Sequence, residues 1–123
     1  MRSRIQVTFA LGLTVVMFAF TLLPGGTRIV ANTSHFLGGS DLTDAVGHLG
    51  IFCALTLTWY YALRAYLIPS RALWLSVAIV LLLSTLAELG QQFVPERGAN
   101  LLDLMANYLG MAVAVGILHF RAH

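Results

Sequence analysis

Residues 5–23 carry no charged side chain at all. A helix needs about 20 mostly apolar residues to cross a hydrocarbon layer about 30 Å thick, and this stretch is long enough. Three more segments approach the same standard: residues 45–67, 72–93 and 101–120. Charged residues make up 10% of the chain and apolar ones 59%, whereas about a quarter of an ordinary soluble domain is charged. The expectation is therefore an all-α membrane protein, a four-transmembrane-helix bundle forming a single domain over residues 1–123. Met1-Arg2-Ser3-Arg4 resembles the basic start of a secretory signal. However, the apolar run behind it is long for a signal and no small-x-small cleavage site follows, so the first span is expected to stay in the membrane.

A net charge of +2 does not point to nucleic acid, because the seven basic residues are arginines scattered along the chain rather than gathered in a stripe. They have a different logic. With four spans, Arg2, Arg4, Arg64, Arg71 and Arg121 fall on one side and only Arg28 and Arg97 on the other. The positive-inside rule then predicts a cell-membrane protein with both termini in the cytoplasm, N-in and C-in. Cys53 is the single cysteine, so no internal disulfide forms, and its apolar surroundings predict a packing role.

Against this apolar background, AELGQQFVPERGANLLDLMANYLG at residues 87–110 is conspicuously polar. Glu88 and Gln91 close the third span on one helix side, and Asp103 and Asn107 open the fourth, four residues apart. Asp44 and His48, also four apart, open the second span, and Arg97 lies in the connection between the third and fourth. All seven should arrive at one depth on the outer side. Ionisable groups in spans are costly in lipid, so they are expected to face inward and pair with one another. Asp103 also gains from the positive end of its helix dipole. Gly110 and Ala114, seven and eleven residues beyond Asp103, continue its stripe with small residues that let helices approach closely.

DAVGHLGIFCAL at residues 44–55, followed by the 87–110 stretch, resembles the VanZ-like membrane proteins. The matching positions are Asp44, His48, Glu88, Gln91, Phe93, Pro95, Arg97, Asp103, Asn107 and Gly110. They cover the chain from Asp44 to about Gly116. Ala45 departs from the pattern, since the family usually has Lys there, and Asn100 replaces an acidic or small polar residue. Arg97 is then left as the basic group of the cluster. The resemblance implies a bacterial envelope protein connected with resistance to the glycopeptide teicoplanin.

Three readings of the cluster stay open at this point. The first is a binding site in which Arg97 and His48 meet the anionic head group of a membrane lipid or lipid-linked envelope precursor. A second reading is an intramembrane enzyme acting on a lipid-linked phosphate, with His48 and the carboxylates as acid–base groups. The third is structural, the polar groups holding the helix ends together. No nucleophile motif, phosphate loop or dense metal-ligand set accompanies them, so neither cofactor nor metal is expected. A homo-oligomer is compatible with the sequence, which does not state the copy number.

Overall fold

The computed structural model of the chain describes residues 1–22, 41–94 and 101–122. Four helices account for nearly all of them: α1 Arg2–Leu22, α2 Asp41–Leu63, α3 Pro69–Gln91 and α4 Leu101–Ala122. They hold 21, 23, 23 and 22 residues, so each is about 32–35 Å long at 1.5 Å per residue. Each is long and apolar enough to cross a membrane, and no strand occurs among the described residues. The chain is a multi-pass membrane protein with four spanning helices among the described residues.

Helix ends part from the apolar segments for local reasons. α2 stops at Leu63 although the apolar run continues, because the backbone N–H groups of Tyr66 and Leu67 both turn back to the Leu63 carbonyl, each at 2.9 Å. Ile68 is extended, with φ −65° and ψ 156°, as the residue before a proline is driven to be. Pro69 then opens α3 at the first helical turn, where its missing N–H costs nothing.

Consecutive helices run antiparallel, so α2 and α4 run parallel. The start of α1 therefore lies beside the ends of α2 and α4, and the start of α2 beside the end of α3 and the start of α4. α2 is the hub: it packs against all three other helices, most extensively against α4. The core draws Met17 from α1, Phe52 and Leu55 from α2, Val80 and Ala87 from α3 and Met111 from α4. On α1 the buried positions Ala10, Met17 and Thr21, with Thr14 between them, recur every three or four residues and define its inward side. The Trp59 indole N–H of α2 donates to the Thr14 hydroxyl at 3.1 Å, linking the two helices.

Gly110 sets the α2–α4 distance. A Cβ there would overlap the Leu49 carbonyl oxygen and come within 3.0 Å of the Cys53 nitrogen. Both are backbone atoms that cannot swing aside. A bare Cα is what lets two helix backbones come so close, and Gly110 lies one turn from Asn107, just as Leu49 adjoins His48. Close approach at this point carries the polar side chains of α2 and α4 into reach of one another.

Hydroxyl groups place few demands on the packing. Thr14, Thr21, Thr56, Thr58 and Thr85 each donate to the carbonyl four residues earlier in their own helix, at 2.7–2.9 Å. Such bonds satisfy the side chain without a neighbour. The groups that need another helix are few, and they cluster.

Candidate functional site

Asn107 is the centre of the cluster and is wholly buried. Its amide nitrogen donates to the Ser84 hydroxyl at 3.1 Å and to Glu88 Oε1 at 3.2 Å, both on α3. Its Oδ1 lies 2.8 Å from His48 Nδ1 on α2. The carboxylate oxygen of Glu88 accepts, so the amide nitrogen must face it and Oδ1 must face the imidazole. His48 Nδ1 therefore carries a proton and donates. The other ring nitrogen, Nε2, stands 3.7 Å from Asp103 Oδ2, beyond hydrogen-bonding distance but close enough for an ion pair when the imidazole is protonated. A stacked contact with the buried Phe52, 6.4 Å between centroids and 11° between planes, fixes the ring orientation.

The arrangement has a sealed base and a more open lip. Asn107, Ser84 and Glu88 are buried, at 0%, 0% and 7% exposure, while the side chains of His48 and Asp103 are 12% and 14% exposed. A polar group left alone in such surroundings costs several kcal/mol, so an Asn that donates twice and accepts once is a stable way to bury this chemistry. Three helices supply the members, and removing any one member unbalances the others.

Of the seven residues the sequence nominates, the structure brings His48, Glu88, Asp103 and Asn107 into one network. Gln91 turns elsewhere. It is 2% exposed, and its amide donates at 3.0 Å to the Thr21 carbonyl near the end of α1. Its Oε1, also buried, has no hydrogen-bond partner among the described residues. Asp44 is exposed on the first turn of α2 and stays outside the network; the helix dipole favours a carboxylate there. Arg97 falls outside the described residues. Ser84 is the member that the polar pattern alone did not reveal. Its position four before Glu88, on the same side of α3, was the available signal.

Among the described residues no three His, Cys, Asp or Glu side chains gather as metal ligands. What the network offers chemically is an imidazole beside one carboxylate, backed by an amide and a second carboxylate, at the end of the bundle remote from both termini.

Four apolar helices with a polar network at one end define a small integral membrane protein whose few ionisable side chains converge between helices. The VanZ/LLP1 family model matches residues 6–122, nearly the whole chain, and the protein belongs to that family. No curated protein and no solved structure matches it.

Proposed function

We propose that the network end of the bundle faces outward and that its lip binds the polar, anionic head group of a membrane lipid or lipid-linked cell-wall precursor. The observation that carries this reading is the graded burial of the network, buried at Asn107 and Glu88 and partly accessible at His48 and Asp103. A purely structural knot has no need of an accessible edge. With Nδ1 donating to Asn107, His48 Nε2 and the Asp103 carboxylate supply two acceptors for hydroxyl or amide N–H groups of the ligand, and Arg97 supplies paired donors for phosphate. Orientation rests on the arginines: five lie at the end that holds both termini, which favours cytoplasmic termini. Membership of the VanZ/LLP1 family is in keeping with an envelope role and with reduced susceptibility to teicoplanin.

The test uses the purified full chain in nanodiscs and a polyprenyl diphosphate as probe. Arg97→Gln and Asp103→Asn should each weaken binding roughly tenfold to a hundredfold, the range for losing a charged hydrogen bond, with little change in melting temperature. In a glycopeptide-sensitive strain the same variants should lose any protection that the wild type confers while keeping membrane abundance. If both variants bind the probe as the wild type does, the reading fails. A second reading has its own observation, the full burial and threefold bonding of Asn107. Were the cluster structural alone, Asp103→Asn and Glu88→Gln would lower melting temperature and abundance together and leave no separate binding defect.

A further inference from the structure

At the opposite end of the molecule a cavity of about 460 Å³ opens between the start of α1 and the ends of α2 and α4. Its polar lining is Arg2 and Gln6 from α1, Tyr60 and Tyr61 from the end of α2, Arg64 from the turn after it, and Arg121 from α4. Among the described residues no carboxylate side chain lines it. Every Asp and Glu among the described residues lies toward the other end of its helix: Asp41 and Asp44 at the start of α2, Glu88 near the end of α3, Asp103 at the start of α4. Three guanidinium groups, from α1, the turn after α2 and α4, thus share one volume with no carboxylate among the described residues of its walls. Like charges drawn together repel unless an anion joins them.

The arginines are held without being used up. Arg121 Nη1 donates to the Tyr61 hydroxyl at 3.2 Å, and Arg64 Nη1 donates to the Leu67 carbonyl at 2.9 Å. Each guanidinium has five N–H donors, so each keeps most of them for a ligand. The volume lies within the range of sites that hold small molecules or head groups. Deeper on α1, Ile5 and Phe9 share a side with Arg2 and Gln6 and are exposed at 60% and 63%. An acyl chain descending from the cavity would find apolar surface there.

We propose that this cavity binds the phosphate of an anionic phospholipid head group, with Arg2, Arg64 and Arg121 as its ligands. Basic pockets between spanning helices near one membrane surface suit such head groups, and guanidinium suits phosphate through paired donors. The site is distinct from the His48–Asn107 network and does not depend on the role given to it.

Native mass spectrometry of the full chain released from mixed micelles tests the assignment, with phosphatidylglycerol, phosphatidylcholine and inorganic phosphate as separate probes. The wild type should retain phosphatidylglycerol over phosphatidylcholine by about tenfold or more, because both carry the phosphate but the choline cation is repelled by the three guanidinium groups. Arg64→Gln combined with Arg121→Gln should abolish that preference. Arg64→Lys with Arg121→Lys, which keeps charge but not paired donors, should retain part of it and guards against loss of folding in the Gln pair. Arg71→Gln, at the same end but outside the cavity, should leave the preference intact. Equal retention of the two lipids by the wild type, an unchanged preference in the Gln pair, or an equal loss in Arg71→Gln overturns the proposal. Millimolar inorganic phosphate displacing the lipid and stabilising the protein as well as phosphatidylglycerol does would reassign the cavity to free phosphate.

Discussion

Asn107 is the residue on which the network turns. Its three bonds, at about 0.6 kcal/mol for an average interhelical hydrogen bond in a membrane, amount to roughly 2 kcal/mol. Asn107→Ala should lower resistance to SDS unfolding by about that much, and His48→Ala by less, since it removes one of the three bonds and leaves the two to α3. Ser84→Ala should cost under 1 kcal/mol, because Asn107 keeps Glu88 as an acceptor. A fall for Ser84→Ala as large as for Asn107→Ala would contradict this ranking. Glu88, Asp103, His48 and Asn107 were legible in the sequence because each is a strongly polar group in an apolar helix and cannot satisfy itself there. Ser84 was not: a Ser or Thr can bond its own helix, as Thr14, Thr21, Thr56, Thr58 and Thr85 do, so its residue type says nothing about a neighbour. Gln91 misled for another reason. Spacing assigns it to a side of α3, but which helix covers that side is decided by packing.

Glycine positions divide the helices into tight and loose contacts. Gly110→Ala should cost about 1–3 kcal/mol through overpacking, since its Cβ meets the backbone of α2. Gly90→Ala meets only the tip of the Leu22 side chain, at 2.7 Å, which can rotate away. Its cost should be under 1 kcal/mol, and Gly116→Ala, with nothing within 4 Å, should be neutral or slightly stabilising. Thermal unfolding in one detergent ranks the three; Gly90→Ala exceeding Gly110→Ala would refute the α2–α4 account. α3 follows a different rule. Ala72, Ser76, Val80, Ser84 and Glu88 are buried at every fourth position. At 3.6 residues per turn each step of four advances the stripe by about 40°, so Ala72 and Glu88 face about 160° apart. Buried rows of this kind belong to helices that cross rather than run parallel. The row of small residues ending in Glu88 was present in the sequence, but its meaning depended on knowing that those positions are covered.

Charge divides the whole molecule into two ends. Arg2, Arg4, Arg64, Arg71 and Arg121 lie at one, and the described acidic residues at the other. A reporter that is active only in the cytoplasm, fused after the last residue, should be active, and one inserted between α3 and α4 should be silent. The reverse result would invert the proposed orientation. The four spans, their order and the antiparallel turn from α3 to α4 were legible, because length and hydropathy are one-dimensional properties; the extensive parallel packing of α2 on α4 was not. The cavity among Arg2, Arg64 and Arg121 was not, since it needs the ends of three helices to meet. The shared network also imposes an order on biosynthesis. During translation α3 emerges with Glu88 on it before the Asn107 that bonds it has been made. An acidic side chain facing lipid costs up to about 2.5–3.5 kcal/mol at mid-membrane and less near the surface. Glu88 is therefore costlier in the bilayer before α4 arrives than after, and entry of α3 and α4 together as a hairpin would remove that cost. A chain halted just after α3 should be the species that the cell's membrane quality control removes fastest.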